Sequence, residues 1–358
     1  MTYLVTGATG FIGRFLIPEL LKRADDIHVV VRPGPNSAAR FDYCAREWSA
    51  GDRVRPVPGD LGVPGLGLDP MWLAEHRGRI DHVFHLAAGY DEQRYRDAQQ
   101  GPLAEPSGGN GTRNVVELAA DLRAQQLHHL STVEVAGRFE GLFTEDMFDV
   151  GQQVATPAQR AAFEAERIVR ESGLNWRIYR PSIVVGHSVT GVNDRVNDRV
   201  DGPYYFFRLL RMAAQLPRLL PVLVPKLGET NMVPVDFAAQ ALAHLAHLPG
   251  PGEQTFHLVD PRRRGAVAAL NLFADEAGAP HLVEIMPKRT LAMMLRLPGA
   301  ERMLPRVGVP LDILEHSEFS CWFDCRHTTA ALAGSGIAVP PLESYAPVLW
   351  RYWIENWV

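Results

Sequence analysis

Thr132 and Glu134, in the run Ser131-Thr132-Val133-Glu134-Val135-Ala136-Gly137, set a hydroxyl and a carboxylate two residues apart. If the run ends a strand, period-two geometry turns both side chains to one face. The hydroxyl could polarise a carbonyl oxygen, and a carboxyl raised in pKa by a half-buried cleft could move a proton near neutral pH. The competing reading of Glu134 is a solvated carboxylate or the partner of an arginine. His187, after Val185-Gly186, falls at another expected strand end, where it could donate to a ligand oxygen or serve as a hydrogen-bonded structural histidine. Tyr90, after Ala87-Ala88-Gly89, and Tyr204-Tyr205, after Gly202-Pro203, offer phenols, with aromatic packing around an apolar ligand as the alternative.

The element that must position these groups opens the chain. Thr6-Gly7-Ala8-Thr9-Gly10-Phe11-Ile12-Gly13 directly follows the apolar run Tyr3-Leu4-Val5 and precedes a helical pattern. In that setting Gly7, Gly10 and Gly13 supply a tight turn, close backbone approach to a pyrophosphate and close helix–strand packing, with Thr9, Phe11 and Ile12 completing the loop. Arg32 ends the second expected strand, Ile27 to Arg32, where an acid would bind a free ribose 2′-hydroxyl and an arginine accommodates a 2′-phosphate. NADP(H) is therefore favoured over NAD(H), the alternative being an arginine that merely caps the sheet edge. Asp60 and Leu61 resemble the pair that hydrogen-bonds and packs against adenine in dinucleotide-binding proteins, and Ala87 and Ala88 are small enough for the cofactor to pass close by.

The remaining pattern gives the fold class: α/β, a Rossmann-type doubly wound parallel sheet with a smaller C-terminal substrate-covering region. Strands are expected at Asp81–Ala88, Leu127–Thr132 and Trp176–Tyr179, and helices at Asn110–Ala124, Pro157–Glu171 and Phe237–Leu248, the last capped by Asp236. Pro18 is a local fault in the first helix. Past about residue 185 the alternation loosens, giving a dinucleotide-binding core over 1–185 and a covering region over 186–358, with 254–260 returning to the sheet as a strand. The tandem Asn193-Asp194-Arg195-Val196 and Asn197-Asp198-Arg199-Val200 reads as a duplicated loop insertion.

Among 358 residues, 36 Lys+Arg against 41 Asp+Glu give a formal charge of −5, which provides no global attraction for nucleic acid. Cys44, Cys321 and Cys325 lack metal-site companions and read as small packing residues in a reducing compartment. A first strand at residue 2 or 3 leaves no room for a leader, so the expected location is cytoplasmic. Phe206 to Leu227 is apolar, carries Arg208, Arg211, Arg218 and Lys226, and has no acid. It could cover an acyl chain, dock a carrier protein or coenzyme phosphate, make peripheral membrane contact, or pack on the core with solvated arginines. Lys288 to Arg306 is a second cationic apolar stretch, though it includes Glu301.

Taken in order, the glycine turn, Gly59-Asp60-Leu61, His85-Leu86-Ala87-Ala88, Leu130-Ser131-Thr132 and Arg180-Pro181-Ser182 resemble the extended short-chain dehydrogenase/reductases. Val185-Gly186-His187-Ser188, Gly202-Pro203-Tyr204-Tyr205-Phe206-Phe207 and Val233-Pro234-Val235-Asp236-Phe237 bring the chain closer to the N-terminal reductase half of bacterial two-domain fatty acyl reductases. The resemblance implies cofactor contacts at Pro181 and Ser182, a small acyl or aldehyde substrate, and delivery by acyl carrier protein or coenzyme A.

One part of the family pattern is missing. A Tyr-x-x-x-Lys pair should follow the Thr132 strand, but in Thr156-Pro157-Ala158-Gln159-Arg160-Ala161-Ala162-Phe163-Glu164-Ala165-Glu166 the two positions hold Ala158 and Ala162. The relay asparagine is likewise absent at Gly108, with Asn110 a shifted substitute, so Thr132 alone survives of the usual set. The expectation is an NADP(H)-dependent reductase of an acyl-derived aldehyde or thioester with an unconventional proton source. A catalytically silent cofactor-binding scaffold and a Glu134-centred elimination or epimerisation are the alternatives.

Overall fold

The computed structural model describes residues 1–87, 108–193, 202–250, 252–286 and 321–357. Ala88, Tyr90, most of the tandem repeat and the stretch Lys288 to Arg306 lie outside the described residues. A seven-stranded, all-parallel sheet is built from β1 (Thr2–Thr6), β2 (Asp26–Val31), β3 (Val54–Pro58), β4 (His82–His85), β5 (Gln126–Leu130), β7 (Trp176–Pro181) and β12 (Gln254–Leu258). Its order is β3-β2-β1-β4-β5-β7-β12, reversing direction of growth at β1. Tyr3, Leu4 and Val5 are fully buried because helices cover both faces of the central strand. On one face α1 (Phe11–Leu20) packs Leu16, Ile17 and Leu20 against Leu242 and Leu245 of α7 (Val235–Ala246). On the other, Val115 and Leu118 of α4 (Gly108–Asp121) meet Val169 of α5 (Pro157–Arg170).

Local faults in the sequence are compensated by specific contacts. Pro18 lies inside α1 and cannot donate to the Arg14 carbonyl. That carbonyl accepts instead from Trp48 Nε1 at 2.9 Å, from the end of α2 (Pro35–Trp48). The short α3 (Pro70–His76) has a true side-chain cap in Asp69, which accepts from Met71 N at 2.7 Å. Asp236 is not the cap of α7. The helix starts at Val235 with Pro234 preceding it, and the Asp236 carboxylate accepts from Ser188 N at 2.9 Å and Ser188 Oγ at 2.6 Å, holding the loop after β8 (Ile183–Val185). Arg177, 2% exposed, sends its guanidinium to the last carbonyls of α7 at Leu245 and Ala246 and to Leu248 O just past the helix. A cation there satisfies carbonyls the helix itself cannot pair.

Past residue 185, α7 and β12 belong to the sheet and its helical cover, while other described segments build a second layer. α6 (Tyr204–Ala213), α8 (Ala266–Ala277) and α10 (Leu342–Trp357) share an apolar core of Phe207, Leu270, Phe273, Leu349 and Trp353. Tyr204, Phe207 and Leu210 of α6 are buried, whereas Met212, Leu216, Leu219 and Leu220 beyond them are exposed, so the Phe206–Leu227 stretch is core at one end and surface at the other. Two short parallel pairs close this layer near the sheet: β11 (Met232–Pro234) beside β8, and β15 (Cys321–Phe323) beside β6 (Gly141–Phe143). Within the layer, β9 (Val222–Pro225) pairs with β14 (Leu282–Met286) and β10 (Glu229–Thr230) with β13 (Arg264–Gly265). Among the described residues no helix is long and apolar enough to cross a membrane.

The strands enclose an unusual number of histidines. His85 Nδ1 meets Thr6 Oγ1 at 2.8 Å, and His128 bridges His82 Nδ1 at 2.7 Å and the Tyr179 hydroxyl at 2.9 Å. Burial is the leading cause that pushes His85 and His128 well below the ordinary histidine value, His82 and His129 to about 4, and His257 to about 3. These groups fold neutral and charge on unfolding, so their contribution is complete above about pH 6.5 and declines as pH falls toward the folded values. Each fully enclosed histidine steepens the loss by up to about 1.4 kcal/mol per pH unit. Urea unfolding between pH 7 and 4 should therefore show stability falling steeply below about pH 6.5; a flat profile to pH 4.5 would contradict the buried neutral cluster.

Candidate active site

The glycine turn is a built cradle. Gly7 has φ +75°, and a Cβ there would lie 2.7 Å from Ala87 N; at Gly13 a Cβ would lie 2.5 Å from the carbonyl oxygens of Gly7 and Ala8. Side chains at either position would push the loop off β4 or the helix off the loop. Gly10 N donates to Gly7 O at 2.9 Å, and α1 begins at Phe11 without a side-chain cap, leaving first-turn amides facing outward. These residues fit a dinucleotide diphosphate. Beside them Arg40 of α2 donates through Nε to Thr9 O at 2.9 Å, and Arg32 Nε lies 3.9 Å from Asp60 Oδ2. Asp60 Oδ1 accepts from Gly62 N, and Asn114 of α4 donates to Leu61 O at 2.7 Å, fixing the loop after β3.

β5 ends at Leu130, two residues earlier than the expected strand. Thr132 is extended (φ −154°, ψ 155°) and begins a 3-10 turn over Val133–Ala136, its Oγ1 accepting from Glu134 N at 3.3 Å. Strand alternation therefore does not relate Thr132 to Glu134; a turn capped by the threonine does. Both still line one cleft of about 1400 Å3. Accepting from Glu134 N leaves the Thr132 hydroxyl proton available to donate.

That cleft runs from Gly7, Gly10, Phe11, Ile12 and Gly13 past Thr132, Glu134 and Ala158 to Pro181 and Ser182. It then opens between apolar walls that include Tyr205, Phe206, Leu270, Trp322 and Phe323. Ser182 Oγ is buried with no hydrogen-bond partner. Thr9, Arg32, Asp60, Leu61 and Ala87 lie outside the cleft lining. So does Ala162, which packs half-buried against the Phe143 cluster. His187 is not brought to the cleft: its Nδ1 accepts from Val189 N at 3.1 Å and its ring lies 5.6 Å from that of Phe15. Tyr204 is committed to Gly186 N at 3.0 Å, so Tyr205 is the one of that pair facing the cavity.

Beneath Thr132 lies a charged network that the sequence reading passed over. Glu166, 0% exposed, accepts from Ser131 Oγ at 2.7 Å, Arg180 Nε at 3.0 Å and Arg170 Nε at 2.8 Å. Burial opposes its ionisation, but Arg180, with help from Arg170 and Ser131, overrides that and brings its pKa to about 2. Arg180 also donates to Met147 O and His257 Nε2. Equally unforeseen is Glu145, whose buried carboxylate accepts from His257 N, His327 N and Thr328 N at 2.6–3.0 Å and so caps α9 (Arg326–Leu332) from a distant loop. The Thr156-x-x-Gln159 spacing, by contrast, is a local signal: a capping box starts α5 there.

A reversing parallel sheet with this glycine cradle at its switch point defines an extended short-chain dehydrogenase/reductase. Residues 5–242 match the NAD-binding family described as Male sterility protein, and the chain belongs to that family. It is 29% identical to aldehyde reductase lnbA of Aspergillus flavus over 299 residues, 76% of this chain and 28% of that protein. It is 32% identical to the isonitrile lipopeptide synthase of Streptomyces coeruleorubidus over 263 residues, 68% of this chain and 16% of that one. The chain thus spans less than a third of these curated relatives. Among solved structures it is similar to the terminal R domain from the myxalamid PKS-NRPS biosynthetic pathway, with a TM-score of 0.75 and 26% identity, covering 99% of this chain and 90% of that chain. A UDP-glucuronic acid 4-epimerase from Bacillus cereus in complex with NAD, 17% identical, shares the fold with a TM-score of 0.64.

Proposed function

We propose that this chain is an NADPH-dependent reductase that takes an acyl group from a thioester, held on an acyl carrier protein or coenzyme A, and releases it as the aldehyde. The observation that carries this reading is the single cleft joining the glycine cradle to Thr132 and then to apolar walls. A reduced nicotinamide bound there supplies a hydride. The chain's own residues do the rest. Amides of the Gly7–Gly13 loop hold the diphosphate, Arg32 and Arg40 flank the ribose for a 2′-phosphate, and Ser182 offers an unpaired hydroxyl beside Pro181. Thr132 donates to the carbonyl oxygen while the carbon accepts the hydride, and Glu134, in the turn it caps, gives its proton to the thiolate released as the C–S bond breaks, so that aldehyde and free thiol leave. Residues 1–185 supply the cofactor half, and 186–358 a covering region interleaved with the sheet through α7 and β12.

The relatives' names support reduction, and the methyl groups at Ala158 and Ala162 favour a second reading, a scaffold that binds NADP(H) without turnover. Incubating the protein with NADPH and an acyl-pantetheine thioester separates them. Net NADPH consumption with aldehyde formation is expected, and Glu134→Gln should lower it on the order of 10²-fold, the usual worth of a positioned acid or base. Binding without consumption supports the scaffold. An unchanged rate in Glu134→Gln removes that residue from the mechanism.

A further inference from the structure

Cofactor binding in this chain has to be managed without an ammonium on α5, and a different donor stands on the same helix. Gln159 is 9% exposed and lines the cleft one residue after Ala158. It is three residues before Ala162, so the two share a helix face. Its Oε1 accepts from Ala155 N at 3.0 Å and from Thr156 N at 3.2 Å, and its backbone N–H donates to Thr156 Oγ1 at 3.1 Å. Two N–H donors can be met only by the carbonyl oxygen, so the carboxamide has one allowed orientation. The Nε2 group, with two donors, is then left with no protein acceptor among the described residues.

We propose that Gln159 Nε2 anchors the nicotinamide-side ribose, donating to its hydroxyls in place of the missing Lys ammonium. This rests on the dinucleotide-binding reading and extends it to a residue outside the family's Tyr/Lys pair. The capping box gives the substitute its rigidity: the same contacts that start the helix fix the carboxamide in one orientation. A neutral carboxamide supplies hydrogen bonds without positive charge, so it positions the ribose but cannot lower the pKa of a neighbouring hydroxyl as an ammonium does.

The test is affinity, read by NADPH fluorescence and, for the adenine half alone, by titration with adenosine 2′,5′-bisphosphate. Gln159→Glu keeps the acceptor that completes the capping box and deletes the donors. Gln159→Met removes the donors without adding charge. Both variants should bind NADPH about tenfold more weakly, the scale of one or two net hydrogen bonds. Both should bind the bisphosphate as wild type does, and Ala162→Lys added to Gln159→Met should recover NADPH affinity. Wild-type affinity for NADPH in both variants, or equal losses for NADPH and the bisphosphate, would overturn the assignment. A wild-type protein that binds neither ligand would instead remove the dinucleotide reading itself.

Discussion

Ala158→Tyr combined with Ala162→Lys is expected to accelerate NADPH-dependent aldehyde reduction on the order of 10²- to 10⁴-fold, the contribution of a positioned general acid. The scaffold for the pair is present. Ala158 lines the same cleft as Thr132, and residue 162 follows one turn later. α5 itself is fixed at its start by the Thr156/Gln159 capping box and further along by the Glu166 ion pairs. The lysine stem replaces a methyl that packs against the Phe143 cluster, so apolar carbons remain there while the charge reaches toward the cleft. The ammonium would lower the new phenol's pKa, giving the rate profile a titrating limb that the parent lacks. Steady-state rates across pH check this. A folded, cofactor-binding double variant with an unchanged rate would show that the proton already comes from a group these residues cannot improve upon.

Removing the carboxylate beneath the cleft should have the largest effect on stability. Glu166→Leu leaves Arg180, 0% exposed, without its main counter-ion and Ser131 without its acceptor. Breaking a buried pair from one side typically costs about 3–5 kcal/mol. Urea unfolding at pH 7 measures it, and adding Arg180→Met should restore part of the loss by removing the stranded charge. The sign with pH is also set. Glu166 is held at about 2, below its ordinary value of 4.5, so its contribution is complete above 4.5 and is lost as pH falls through the folded value. A Glu166→Leu protein as stable as its parent at pH 7 would mean that the network costs as much as it contributes.

Much of the nucleotide half was legible because its signals are local. A glycine turn between an apolar run and a helical pattern can be read within a dozen residues, and Gly7 is required there by the Ala87 backbone pressed against it. The alanines at 158 and 162, by contrast, stand out only through the family resemblance, since helical spacing alone gives them no special place. Boundaries were less secure. β5 gave way two residues early because Thr132 uses its hydroxyl to start a turn, and β4 stops at His85 rather than continuing to Ala88. Asp236 carried a cap-like position, yet its carboxylate is taken by Ser188, 48 residues away in sequence. His187 shows the same limit, since a strand-end position does not reveal that Val189 N occupies its ring nitrogen. Nothing near Glu145 announces partners at 257, 327 and 328, and the Trp322-Phe323 wall comes from β15, paired with a strand 180 residues earlier.

Glu145 also bears on the order in which a growing polypeptide can complete itself. Until the ribosome has added residue 257 this carboxylate has none of these backbone donors, because the nearest of them is 112 positions downstream and the others more than 180. The nucleotide-binding strands β1 to β5 are synthesised long before that, and so are free to assemble first. A chain released short of residue 254 would keep an undressed acid and, lacking β12, a bare sheet edge at β7, surfaces by which a protease distinguishes a truncated product from a finished one.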